Sequence, residues 1–172
     1  MSIRRVNHAV LSVSDLEAST MFYRDVLGLE LVAILPAQGD WKEMRFFRAS
    51  GESTNHHDVG IIANATLPLP GRGQPSVPGL FHVAFEVGTI EELESMGQRL
   101  KEANAFIDCV EQPMHLSVYG RDPDGLSLEV VWRVPNVDWS YEDLWRRPLD
   151  FDAVKDRWGG TLTTGSAAGE PA

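Results

Sequence analysis

Among the 172 residues of this chain, His8, His82 and Glu129 are the ones whose types could together hold a reactive ion. Two imidazoles and one carboxylate suit a divalent metal of borderline hardness, and three protein ligands leave positions open to water, a substrate or dioxygen. Spacing alone is weak support, because three such residues scattered over a long chain could be picked from many sequences. His8 and His82 read equally as strand histidines satisfied by nearby carbonyls, and Glu129 as a solvated strand charge. An internal repeat argues against that reading. Aligned on the two histidines, at an offset of 74 (82 − 8), HAVLSVSDLE lies over HVAFEVGTIE, so that Val13 meets Val87, Leu16 meets Ile90 and Glu17 meets Glu91. The alignment makes no use of chemistry, yet it puts the histidines at the same point of both copies.

The elements that must position these residues follow from periodicity. Each copy opens on an alternating strand and runs into a helix. Ser14 and Glu17 have capping-box spacing, Leu16, Tyr23 and Leu27 fall on one helical stripe, and Gly28 is placed to stop the helix. In the second copy Thr89 is a cap for the stripe Ile90, Leu93, Gly97 and Leu100. Three strand signals follow each helix: LELVAIL, WKEMRFF and DVGIIA, then FIDCVE, HLSVY and LSLEVVW. The expected fold is therefore α+β, two tandem βαβββ modules forming a shared cleft, with residues 1–65 and 80–134 as the modules. The Pro- and Gly-rich stretch 66–79 reads as the linker, since neither helix nor inner strand persists through it. Residues 135–172 form an extension. Ser140 with Asp143 suggests another helix start, Trp139, Trp145 and Trp158 suggest cover for a module edge or a subunit interface, and disorder is expected from Gly159 onward.

Strand alternation predicts where the site faces. Phe81, Val83, Phe85 and Val87 share the apolar face that packs on the helix, which leaves His82 on the other. Leu126, Leu128, Val130 and Trp132 do the same in the last strand, so Glu129 lies on the face of His82.

Composition sets the surroundings. With 43% hydrophobic residues, 23% charged, and no apolar run near the roughly 20 residues of a membrane span, the chain reads as globular. The start MSIRRVNHAV does not look like a secretory signal, and the expected location is cytoplasmic. A formal charge of −10 leaves no footprint for nucleic acid or an anionic membrane, so a small molecule is the expected partner. The single cysteine, Cys109, excludes an internal disulfide framework and reads as a buried structural thiol.

With His8, the His56-His57 pair, His82 and YGRDPDGLSLE from Tyr119 to Glu129, the sequence resembles the vicinal oxygen chelate superfamily over roughly residues 3 to 133. Within it, the pattern is similar to single-unit type I extradiol dioxygenases. The resemblance implies a catechol-type aromatic diol and dioxygen as substrates, in aromatic catabolism. It implies Fe(II) bound by His8, His82 and Glu129, with Mn(II), Ni(II) or Zn(II) as other metals for such a site. His57 would be the acid/base residue and Tyr119 a hydrogen-bond donor to substrate. Asp122, Pro123 and Gly125 would form only the turn. A homo-oligomer is expected.

The sequence departs from that pattern where the family usually has a further histidine upstream of its tyrosine. Val110 and Glu111 stand nearby here, and His115, closer to Tyr119, is either a substitute or a strand residue. Most such dioxygenases also carry a second pair of modules, although a small single-unit form occurs. Two rivals share the expected fold. Glyoxalase-like isomerases or lyases place a fourth ligand, usually glutamate, near the position of His57, and binding modules of the bleomycin-resistance kind keep the cleft without metal. Trp41, Phe46 and Phe47 are candidates for a pocket wall, and strand packing explains them as readily.

Overall fold

A computed structural model describes residues 5–49, 53–64, 79–135 and 144–166. The chain divides into two compact units, Met1–Gly71 and Arg72–Ala172. In the first, β1 (Ala9–Val13) leads into α1 (Leu16–Met21), which continues as a π-helical turn over Phe22–Val26. β2 (Glu30–Leu35), β3 (Met44–Arg48) and β4 (Val59–Ala63) follow. The second unit repeats this with β5 (His82–Glu86), α2 (Ile90–Glu102), β6 (Phe106–Glu111), β7 (His115–Arg121) and β8 (Ser127–Arg133), then adds β9 (Arg147–Pro148) and α3 (Phe151–Trp158). The sheet orders are β1-β4-β3-β2 and β5-β8-β7-β6-β9, and the first strand of each module pairs in parallel with the last. Both βαβββ modules read from the sequence are present. The expected linker, save Gly79, lies outside the described residues, as do Trp139, Ser140 and Asp143.

Local chemistry explains the helix starts. α1 is capped by Asp15, whose carboxylate accepts from the N–H groups of Glu17 and Ala18, both at 3.0 Å. This corrects the expected Ser14 and Glu17 box. The Glu17 side chain instead meets Arg45 of β3, which also donates to Thr20 Oγ1 at 2.8 Å and so ties α1 to the sheet. Gly28 ends the helical segment at φ 77°. α2 starts at the cap expected at Thr89, which Glu92 closes into a capping box. Its face of Ile90, Leu93, Met96 and Leu100 is buried. Burial at about 1.5–3 kcal/mol per side chain outweighs a cap worth about 1 kcal/mol, so packing holds α2 while the cap sets where it begins. Phe81 departs from the expected apolar face, being 60% exposed just before β5.

The extension covers a sheet edge. β9 pairs with β6, and Trp158 of α3 packs on Trp132 with ring centroids 5.6 Å apart. Disorder does not begin at Gly159. Trp132 Nε1 donates to Leu162 O at 3.0 Å, Thr164 Oγ1 donates to Glu86 at 2.8 Å, and Gly165 N donates to Arg133 O at 3.0 Å. That segment shows no apolar period because hydrogen bonds, rather than a buried face, hold it. Cys109 fits its structural reading. It is half-buried, with Sγ 3.8 Å from Leu149 O, and burial pushes the thiol up from its ordinary value. Among the described residues no helix is long and apolar enough to cross a membrane.

Glu111 is the clamp of the extension. The residue is only 4% exposed. It accepts from Arg147 Nε at 2.8 Å and Nη2 at 2.7 Å and from Arg157 Nη1 at 2.8 Å. The Arg147 hydrogen bonds, aided by Arg157 and opposed by burial, hold its carboxyl below the ordinary value of 4.5. Glu111→Gln is expected to lower unfolding free energy by about 1–3 kcal/mol at neutral pH, read by urea denaturation. A depressed carboxyl stabilises above its unfolded value and loses that contribution as pH falls through its folded value. The gap between wild type and variant should therefore close in acid.

Candidate metal centre

In the second unit the site is built by one hairpin. Asp122 Oδ1 accepts from the N–H groups of Asp124 and Leu126 at 3.0 and 2.8 Å, and Gly125 supplies the left-handed residue at φ 82°. This turn fixes the β7–β8 register so that Tyr119 stands opposite Glu129, while β5 places Ala84 on the other side. Glu129 is 5% exposed. Its Oε1 accepts from Tyr119 OH at 2.6 Å and Ser117 Oγ at 2.8 Å, and its Oε2 lies 3.2 Å from His82 Nε2. Burial, then the adjacent Glu129, pushes the Tyr119 phenol up to about 12, so it remains a proton donor at any working pH. Gln112 Nε2 donates to Tyr119 OH at 3.4 Å, and His115 Nδ1 lies 3.1 Å from Ser117 Oγ. His115 is thus linked to Glu129 through Ser117.

Within the first unit a chain of bonds orients His8. Asp58 accepts from Ala49 N, Ser53 Oγ and Asn55 Nδ2 at 2.7–2.8 Å. Burial opposes its ionisation, but these donors hold its carboxyl below the ordinary value. Asn55 accepts from Asn7 Nδ2 at 3.0 Å, and Asn7 Oδ1 lies 2.8 Å from His8 Nδ1. An amide oxygen at Nδ1 selects the tautomer whose Nε2 carries a free lone pair, as metal-binding imidazoles require. His57 packs between Phe46 and His8, with ring centroids at 4.6 and 4.5 Å, and its Nδ1 lies 3.0 Å from that of His56. Burial, then His8 and His56, depresses His57 from its ordinary value, so it stands neutral and able to accept a proton at neutral pH. Phe47 belongs to the core and Trp41 is 70% exposed, so of the three aromatic candidates only Phe46 touches a candidate site residue.

Strand registers align the two modules residue by residue. Val10, Gly60 and Phe46 stand abreast in the first sheet as Ala84, Glu129 and Tyr119 do in the second. The residue matching Glu129 in the first module is therefore Gly60, not His57. A Cβ there would come within 3.2 Å of Val10 and 3.3 Å of Phe46, so their side chains close over the glycine.

The donors suit a divalent ion. Two atoms each about 2.0–2.2 Å from one ion stand near the 3.2 Å found between His82 Nε2 and Glu129 Oε2. His82 Nδ1 is buried with no hydrogen-bond partner among the described residues, and so makes no competing demand on the ring's orientation. Among the described residues no three His, Cys, Asp or Glu side chains form a single metal-binding group. The second unit gathers His82, Glu129 and Tyr119, whereas the first gathers His8 and His57. Ser117, Gln112 and Asn55 were not singled out from the sequence. Alternation could have found Ser117, which shares the face of Tyr119 two residues on.

The model of the glyoxalase/bleomycin resistance protein/dioxygenase superfamily matches residues 5–130, and the chain belongs to that superfamily. It is 33% identical over 127 residues to biphenyl-2,3-diol 1,2-dioxygenase 3 of Rhodococcus globerulus, covering 73% of this chain and 62% of that protein. Identity to the iron-dependent extradiol dioxygenase of Rhodococcus jostii (strain RHA1) is 31% over 137 residues, covering 72% of this chain and 41% of that one. The chain thus spans less than two thirds of either relative. Glutathione transferase FosA of Serratia marcescens is 30% identical over 131 residues, covering 74% and 80%. A glyoxylase/bleomycin resistance protein/dioxygenase domain from Frankia sp. EAN1pec superposes with a TM-score of 0.65 at 24% identity, covering 77% of this chain and all of that one.

If Tyr119 and Ser117 are what make the buried carboxylate tolerable, removing both should be costly. Ser117→Ala with Tyr119→Phe is expected to destabilise the metal-free protein by about 1–3 kcal/mol for each donor removed. Urea denaturation measures it. No loss would mean that Glu129 does not depend on them.

Proposed function

We propose that this chain is an Fe(II)-dependent extradiol dioxygenase that opens the ring of a catechol-type substrate. His8, His82 and Glu129 would be the metal ligands, His57 the acid/base residue and Tyr119 a hydrogen-bond donor to substrate. The observation that carries the reading is the Glu129 carboxylate, facing His82 on one oxygen and Tyr119 on the other. A divalent iron bound by one carboxylate and two imidazoles would keep one positive charge, matched by a catecholate monoanion, and open positions for both substrates. Mn(II), Ni(II) or Zn(II) suit the same donors.

The remaining steps belong to the chain's own residues. His57, neutral and packed against His8, accepts a proton from one catechol hydroxyl and stands by to stabilise negative charge developing next to it. Tyr119, held protonated, turns its hydrogen bond toward a substrate oxygen. Phe46 and Val10 close over Gly60 and give the first module's strand face an apolar lining.

Gly60 also bears on the four-ligand isomerase reading, since the position that matches Glu129 offers no donor. A second reading retains support: two imidazoles and a carboxylate also suit metal-dependent lyase or transferase chemistry, and the chain covers 80% of the FosA relative. Dioxygen uptake with a panel of catechols, after anaerobic loading with Fe(II), separates the two.

Glu129→Ala is expected to lose the metal in calorimetric titration with Fe(II) or Co(II), and affinity equal to the parent's would end the proposal. His57→Ala should keep its iron but turn over about 10²–10⁴ times more slowly, with Tyr119→Phe milder. Loss of metal from His57→Ala, with an unchanged rate for Tyr119→Phe, would favour the four-ligand isomerase.

A further inference from the structure

Beside Tyr119 lies a groove of about 260 Å³, lined by Gln112, Pro113, Met114, Leu144, Trp145 and Arg146. Gln112 touches the Tyr119 hydroxyl at 3.4 Å, so the groove begins where the candidate site ends. Four of its walls are largely apolar. The Trp145 ring is backed by the guanidinium of Arg147 at 4.7 Å, which steadies that wall.

Arg146 differs from the neighbouring arginine. Arg147 is committed to Glu111 through two hydrogen bonds at 2.7 and 2.8 Å. The Arg146 guanidinium instead lies over the Tyr119 ring, 5.3 Å from its centroid. The one carboxylate near it among the described residues is Asp108, at 3.7 Å, beyond hydrogen-bond reach. That ion pair is long and solvent-exposed, so among the described residues the Arg146 fork keeps N–H groups to offer, on a chain of net charge −10. A planar fork of N–H groups at an apolar groove matches a carboxylate at the end of a short arm. The volume has room for roughly eight water-sized groups.

We propose that this groove and Arg146 form a subsite for an acidic side arm, so that the substrate is a catechol carrying a short chain that ends in a carboxylate. The inference rests on the dioxygenase reading for the catechol end and on Arg146 for the arm. Arg146 is thus a specificity-determining residue, while the groove walls take the methylenes.

The test is calorimetric titration of the Fe(II)-loaded protein without oxygen, using dihydroxyphenylpropionate and its neutral amide, each with the arm at either ring position. The acid should bind roughly 10- to 100-fold more tightly than the amide, the worth of a hydrogen-bonded charge pair. Arg146→Gln should erase that preference while leaving Fe(II) and amide affinities unchanged. Arg146→Glu should reverse it. A wild type that binds acid and amide alike, or a preference that survives Arg146→Gln, overturns this inference alone. A wild type that takes up no Fe(II), or binds neither catechol, overturns the proposed function and the subsite with it.

Discussion

The Glu129 carboxylate is 5% exposed, and an ionised group so far from water costs several kcal/mol unless donors surround it. Tyr119, Ser117 and His82 are those partners, and each comes from a strand beside β8. Their convergence depends on the Asp122 turn. A slip of one residue in the hairpin would send Glu129 to the helix side of the sheet and turn Leu128, Val130 and Trp132 to the face it left. The turn's side-chain and backbone bonds thus do chemical work at a distance of two strand residues, because they decide which face the carboxylate occupies.

Duplication gave both modules one backbone plan, and the side chains then diverged. The trio Val10, Gly60 and Phe46 is apolar and closed, whereas Ala84, Glu129 and Tyr119 is polar and hydrogen-bonded. The histidine at the start of the first strand is kept in both copies, but its support differs. His8 is held by a relay running from Asp58 through Asn55 and Asn7, while His82 faces Glu129 directly. One module therefore offers an imidazole with a proton acceptor beside it, and the other an imidazole with a carboxylate. Two copies of one fold thus carry unlike sets of donors, each within its own unit.

Much of this was legible in the sequence because two periods are hard to disguise. The alternation of β5 and β8 put His82 and Glu129 on one face, the α2 stripe of Ile90, Leu93, Gly97 and Leu100 is buried as read, and the βαβββ element order recurs in both modules. Errors arose where two residues compete for one role or where hydrogen bonds replace burial. Ser14 and Asp15 both suit a cap, and the contest went to Asp15 because Glu17 was drawn to Arg45, 28 residues on. The segment after Gly159 has no apolar pattern, yet Trp132, Arg133 and Glu86 hold it in place. Gly60 was invisible for a different reason: its significance lies in a cross-strand register, which no local pattern encodes.

The extension links the stability of the second unit to the surroundings of Tyr119. Successive residues of an extended chain point to opposite faces, and Arg147 of β9 and Arg146 just before it serve different partners. Arg147 turns to Glu111, where Arg157 of α3 joins it, and Arg146 is left over Tyr119. The clamp fixes the short strand, and the strand fixes the direction of its neighbour's side chain. Any change that loosens Glu111 must also loosen Arg146 over the phenol ring, although Glu111 itself points away from that face. A buried carboxylate held by two half-exposed arginines can in this way govern the placement of an exposed charge beside the candidate site.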